Sequence, residues 1–434
     1  MKRIMLLATM LFIFAITAYT SNSQQEYTAE LAADSIDSYD MPMGGRILRP
    51  TSSTSPYFEK TRNIPGEYTL QHTYSVPLQA RQRTFQKFLA DSTARNRFFQ
   101  RFPDQSFEDW QKKYSSDSLD NIASIGAVEN PAGELVLIYD ANNDEDLSND
   151  PIIQPVIKSR YIAARDTSYE FSYMDGEVQF EYYDGSTIRT GTRTLRLRWV
   201  AKERGLLSQT SATGQFGRIN IHDTSYRVGL INRGDIEYSK YDNLWIDLNQ
   251  NDKYDRNEDH YEQMYLPFTI DTLAYKVTEV GRFGQSLALR SCDPDSIPPI
   301  AEGLPAPDFQ ATTIDSSQLQ LSDFIGKFIV LDFWTCNSPR GLSRFYDIYK
   351  DYQDRQEVAF ISVGPYTPER YQPEIRKIEM NWPHIDGLFD VPARELYQVA
   401  GENVTFIINP DGKIMKKLVF APAEKINNLL AELL

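Results

Sequence analysis

Between residues 292 and 307 the chain reads Cys-Asp-Pro-Asp-Ser-Ile-Pro-Pro-Ile-Ala-Glu-Gly-Leu-Pro-Ala-Pro, and the apolar pattern differs on its two sides. Proline fixes φ and removes a backbone donor, so neither a helix nor a sheet ladder runs through this stretch. It reads as a linker or domain entrance. At 434 residues the chain is long enough for two or three cores. Upstream, from about residue 159 to 289, short alternating runs dominate, such as Tyr169, Phe171 and Tyr173. Asp175-Gly176 and Asp184-Gly185 read as hairpin turns between them. An antiparallel sandwich or strongly curved sheet follows from that spacing. Phe85, Phe88 and Leu89, then Phe98, Phe99 and Phe102, add a helical segment ahead of it. Downstream, strands and helices alternate. Residues 328–333 are an apolar run but for Asp332, as a strand covered on both faces requires. Phe345, Ile348, Tyr349 and Tyr352 follow at helical spacing, and residues 358–363 form a second buried strand. Residues 371–380 read as a helix, 405–408 as a third strand and 423–434 as a closing helix.

The start of the chain gives an address. Lys2 and Arg3 precede an apolar run over residues 4–18, and Ser21-Asn22-Ser23 offers a cleavage site of small residues. This is the pattern of a secretory signal peptide. It predicts an exported protein, periplasmic or secreted, cut near Ser23. The run is short for a bilayer span and no later stretch is apolar enough to make one, so the mature chain is expected to have no membrane span. Residues 24–65 are polar and rich in Ser, Thr, Asp and Pro, and read as a disordered lead-in. With 45 basic against 60 acidic residues the net charge is −15. That opposes nucleic-acid binding, which needs a basic face for phosphates.

The order of motifs after residue 303 resembles the exported thioredoxin-like family (redoxin, TlpA-type, AhpC/TSA-related). Leu304-Pro305-Ala306-Pro307-Asp308-Phe309 is similar to its entrance. Leu321-Ser322-Asp323-Phe324-Ile325-Gly326-Lys327, followed by Val330-Leu331-Asp332-Phe333-Trp334, is similar to its first core strand and lead-in. Phe360-Ile361-Ser362-Val363, Asn381-Trp382-Pro383 and Thr405-Phe406-Ile407-Ile408 with Asp411-Gly412 also fit. The resemblance implies a C-terminal α/β thioredoxin fold. With the β-rich part it gives an α+β, two-domain chain: residues 66–291 antiparallel and β-rich with a helical N-terminal part, 292–306 a linker, and 307–434 thioredoxin-like.

The family's chemistry does not follow. Members that exchange disulfides place Trp-Cys-x-x-Cys at the first strand–helix junction. There the helix N-terminus stabilises the first thiolate and the second thiol resolves the mixed disulfide. This chain reads Trp334-Thr335-Cys336-Asn337-Ser338-Pro339-Arg340. Aligned from the strand, Ser338 takes the first cysteine's place; in a shifted register Cys336 does, and Pro339 takes the second. Neither register supplies two cysteines. The family's cis-proline before the strand threonine is Val404 here, and a cis bond before a non-proline residue is costly. The active site is therefore degenerate, and the expected role is a binding or scaffold module with protein or peptide partners. The alternative is a divergent thiol-disulfide oxidoreductase or one-Cys peroxidase using Cys336, with Arg340 as its charged neighbour. Thr335, Cys336 and Arg340 supply the residue types of a peroxidatic site, at a spacing unlike Pro-x-x-x-Thr-x-x-Cys. Cys292 and Cys336 are the whole cysteine complement, and in an exported chain an even count invites a disulfide.

Two acidic loops resemble each other. Asp140, Asn142, Asp144 and Asp146 alternate in one, and Asp247, Asn249, Asn251 and Asp255 in the other. Such spacing can converge oxygens on calcium. Both lack the glycine of an EF-hand loop, where Glu145 and Asp252 stand. The competing use is an Asx-rich turn that caps its own backbone. Four scattered histidines, His72, His222, His260 and His384, match no zinc spacing. His384, after Trp382-Pro383, is expected in an exposed loop.

Overall fold

The computed structural model describes residues 25–36, 45–52, 63–101, 105–162, 167–232, 234–240, 242–255, 258–270, 273–293, 297, 299–334, 339–364, 380–386, 392–399, 403–419 and 421–434. The signal segment and all but Met380 of the helix predicted over residues 371–380 lie outside them. The chain divides into two compact units. One is Thr28–Tyr261 with Glu279–Leu287; the other is Glu262–Thr278 and Ala288–Leu434, with the chain start to Tyr27.

In the first unit, strands Thr69–Pro77, Ile122–Glu129, Leu135–Tyr139 and Ile152–Ile153 form an antiparallel sheet. A second antiparallel sheet runs in the order Gly45–Leu48, Leu206–Ser211, Ile188–Ala201, Thr167–Tyr183, Val156–Ile162. Tyr74, Val76, Ile125, Leu137 and Tyr139 from the first share one core with Met174, Val178, Leu195, Leu197 and Leu207 from the second. This is the layered β architecture that the alternation predicts. Helices Ala80–Ala90, Ser92–Arg101 and Phe107–Lys113 supply the helical part, closed on an aromatic cluster of Phe85, Phe88, Trp110 and Tyr114.

Two local expectations fail. The lead-in contains a ten-residue strand, Glu26–Ser35, which pairs with Thr213–Ile221, Leu31 opposite Gly217. Its polar composition comes from the outward positions, Glu26 and Glu30, while Tyr27, Ala29 and Leu31 are buried. Asp175-Gly176 is not a turn but lies inside the strand Thr167–Tyr183. A Cβ at residue 176 would sit 2.3 Å from the Tyr139 ring, so glycine is there for close approach between sheets rather than for φ. Asp184-Gly185 is the turn, with Gly185 at φ 108 and the Asp184 amide donating to Thr187 O.

In the second unit a five-stranded sheet runs His384–Asp386, Val358–Gly364, Phe328–Phe333, Val404–Ile408, Ile414–Val419. The first three strands are parallel and the last two antiparallel to their neighbours. The central strand Phe328–Phe333 feeds both faces. Ile329, Leu331 and Phe333 pack with Ala393 and Tyr397 on one. Val330 and Trp334 pack on the other with Leu342, Phe345 and Ile348 of helix Pro339–Tyr352 and with Ile426 and Leu430 of helix Ala423–Leu433. Burial on both sides is why the run is uninterruptedly apolar except at Asp332.

Candidate functional site

The C-terminal ends of the parallel strands hold an unusual set of buried polar groups. Asp332 sits one residue before the end of the central strand and is fully buried. A bare carboxylate there is costly, so partners are required. Thr405 Oγ1 donates to Asp332 Oδ1 at 2.6 Å, and Arg344 forms an ion pair with the same oxygen. Antiparallel register puts Thr405 directly opposite Asp332, and helix Pro339–Tyr352 delivers Arg344. Arg344 Nη1 also donates to Ala421 O at 2.8 Å. Burial pushes the Asp332 carboxyl above its ordinary value, and the Arg344 guanidinium and Thr405 hydroxyl offset only part of that rise.

A second arginine closes the strand ends. Arg394, fully buried, donates from Nη2 to Trp334 O at 2.7 Å and to Val363 O at 3.4 Å. Its guanidinium carbon lies 5.5 Å from the centre of the Phe333 ring. Trp334 in turn stacks on His384, ring centres 5.7 Å apart. His384 is only 1% exposed, in strand His384–Asp386, not in an exposed loop. Its Nδ1 lies 2.7 Å from Ser362 Oγ, which accepts from Trp382 Nε1 at 2.8 Å. Burial lowers its pKa to about 4, so the ring is neutral at pH 7.

The predicted thiol site is only partly visible. Cys336 lies in 335–338, outside the described residues, and so does the side chain of Arg340, whose backbone begins helix Pro339–Tyr352. Cys292, at the end of strand Ser286–Cys292, is a free, half-exposed thiol. Val404 is buried opposite Phe333, and no cis peptide bond occurs among the described residues.

The acidic loops share one geometry. Asp140 Oδ1 and Oδ2 accept from the amides of Asp144 and Glu145; Asp247 Oδ1 and Oδ2 accept from those of Asn251 and Asp252. Both loops place the fourth and sixth residues at positive φ: Asn143 and Glu145, Gln250 and Asp252. Asn142 and Asn249 accept from the amides of Asp144 and Asn251. The Asp144 and Asn251 side chains accept from the amides of Asp146 and Lys253. Asp146 accepts from Ser148 and Asn63, and Asp255 donates its amide to Asp259. The side-chain oxygens thus serve their own backbone as Asx turns. Among the described residues no group of three or more His, Cys, Asp or Glu is placed to hold a metal ion.

Residues 303–417 match the AhpC/TSA family. The C-terminal region belongs to the thioredoxin-like redoxins. A curated relative, thiol-disulfide oxidoreductase ResA of Bacillus subtilis (strain 168), is 28% identical over 121 residues, which is 27% of this chain and 66% of the relative. The chain thus spans just under two thirds of that relative's length. Similar solved structures include a thiol-disulfide oxidoreductase from Bacteroides fragilis NCTC 9343, 19% identical, covering 30% of this chain and all of that one, TM-score 0.26. Another is a putative protein disulfide isomerase from Bacteroides thetaiotaomicron, 26% identical, covering 31% and 88% of the two chains, TM-score 0.27. Among the described residues no helix is long and apolar enough to cross a membrane.

The redoxin's buried set was missed by motif reading. Asp332 alone breaks an apolar run, and Thr405 faces it by register; those two signals are in the sequence. Arg344, in helix Pro339–Tyr352, and Arg394, in the short helix Pro392–Leu396, carry no local signal until the fold turns them inward.

Proposed function

We propose that this is an exported protein whose redoxin domain acts as a binding or scaffold module for protein or peptide partners, without dithiol exchange. One observation carries the reading. The junction after Trp334 holds a single cysteine, Cys336, where exchange requires an attacking and a resolving thiol. Val404 in place of the usual proline supports it. Fold alone does not grant the relatives' activity. Export is supported by Lys2, Arg3, the apolar run over residues 4–18 and the small residues at Ser21 to Ser23. In this reading the acidic loops are structural. A calcium-dependent rise in melting temperature would add a cation to them, and no shift at saturating calcium would remove it.

The test is reduction of insulin by the wild-type chain and by Cys336→Ser. The expected result is no turnover above buffer in either. Turnover abolished by the substitution would replace this reading with a thiol-dependent oxidoreductase.

A further inference from the structure

One cavity in the C-terminal unit is assigned to nothing so far. It has a volume of ≈ 510 Å³ and opens between the segment 313–324 and the stretch Met380 to His384 that leads into the edge strand. That size suits a small organic ligand or one long side chain. Phe324, Met380 and Trp382 are the large apolar residues of its lining, and Asp315 and Asp323 are its acidic ones. Among the described lining residues there is no lysine or arginine. The basic group present, His384, is held neutral by burial.

Three features set the chemistry of a ligand. The Trp382 ring is fixed from behind by Tyr349, centre to centre 4.8 Å, and by its bond to Ser362, so it is preorganised. Asp315 stays ionised, because the Thr313 hydroxyl and the Ser317 amide donate to it. Asp323 is an exposed carboxylate of the turn Leu321–Phe324. An anion would meet two carboxylates and no cation. A neutral apolar ligand would gain nothing from the two solvent-exposed carboxylates. A cationic head on an apolar stem satisfies both surfaces, with the stem on the aromatic and thioether groups and the head toward the carboxylates.

We propose that this pocket binds an alkylguanidinium or alkylammonium group, as carried by arginine or lysine. The inference deepens the binding-module reading and rests on it, since it gives that module a ligand class. The group can come from a free small cation or from a partner's basic side chain.

The experiment is isothermal titration of the full chain with Nα-acetyl-arginine methylamide and with its citrulline counterpart, which keeps the shape and lacks the charge. The arginine probe is expected to bind and the citrulline probe to bind at least tenfold more weakly. Asp323→Asn should weaken the arginine probe by about three- to fivefold, the scale of an exposed ion pair. The double variant with Asp315→Asn should weaken it by about tenfold, with added salt acting in the same direction. Asp323 has no role in holding its turn comparable to that of Asp315, so the single variant remains informative if the double one misfolds. Equal binding of the two probes, no binding at millimolar concentration, or an unchanged affinity in Asp323→Asn overturns the proposal. A peptide with one arginine flanked by alanines identifies the source. Affinity at least tenfold above the single residue assigns the pocket to a protein partner, and equal affinity assigns it to a free cation. Insulin turnover through Cys336 would sink the binding-module reading yet leave a positive titration standing. A failed titration without turnover would sink the pocket and leave that reading to another surface.

Discussion

Asp332 and Arg344 are worth most when considered together. Each is expensive inside the protein alone, and an unpaired buried charge costs more than the pair contributes. Replacing Arg344 by Met leaves the carboxylate with Thr405 alone, and the expected loss is about 3–5 kcal/mol. The double variant Asp332→Leu/Arg344→Met should recover most of that loss, measured as the urea midpoint of the C-terminal transition. No recovery would mean that Arg344 acts through Ala421 O rather than through the carboxylate. His384 gives a pH signature of known sign. Its folded pKa of about 4 lies below the unfolded value of about 6.5. Between those values the unfolded chain binds more protons, so stability falls as pH drops through that window. The loss approaches about 3 kcal/mol at the acid end. His260 has the same sign, and Asp150 and Asp235, raised to about 6 by burial, have the opposite one. The informative quantity is therefore the difference between wild type and His384→Gln. Denaturation followed by tryptophan fluorescence at pH 7 and pH 5 should show a shallower pH dependence in the variant.

At the level of elements, the strands of the redoxin domain were readable because burial on both faces forces nearly continuous apolar runs, broken only at Asp332 in Phe328–Phe333 and at Ser362 in Val358–Gly364. The β-rich unit was readable in kind and not in register. Asp175-Gly176 has the composition of a turn, yet its glycine answers a contact with Tyr139, a residue far away in sequence. Local turn chemistry cannot reveal a long-range clash. The same contact yields a prediction. Gly176→Ala must displace the Tyr139 ring, whose hydroxyl donates to Met174 O at 2.8 Å in the same strand. Overpacking of this kind costs about 1–3 kcal/mol. Gly133→Ala is a control with open space around its Cβ, although its positive φ carries a strain of its own. Urea midpoints of the two variants should therefore differ in cause: a compensating Tyr139→Leu should relieve Gly176→Ala and leave Gly133→Ala unchanged. The lead-in failed for a similar reason. Glu26 and Glu30 made the segment look polar, and only the partner strand Thr213–Ile221 shows which side is buried.

For the whole molecule the cysteine count decides how far redox chemistry can go. The chain has two cysteines, and Cys292 is a free thiol. The one intramolecular partner for Cys292 is Cys336, which lies outside the described residues. The chain unfolded in guanidinium without reductant should titrate two thiols, and a value of zero would mean that Cys292 and Cys336 are bridged to each other. The site was legible to this extent from sequence alone, because the single cysteine of the Trp334–Arg340 junction is visible without coordinates. The buried arginines were not, since nothing local distinguishes Arg394 from a solvated helix residue. The two facts combine in one further expectation. A lone thiolate that attacks a disulfide stops at the mixed disulfide, because no resolving thiol follows. Incubation with oxidised glutathione should therefore give adducts that persist until reductant is added, never exceeding one per cysteine. Cys292→Ser should remove the Cys292 adduct and create no turnover. If release instead occurred in the wild type and ceased in Cys292→Ser, Cys292 would be acting as the resolving thiol. The redoxin domain would then exchange disulfides by a route its Trp334–Arg340 junction does not display.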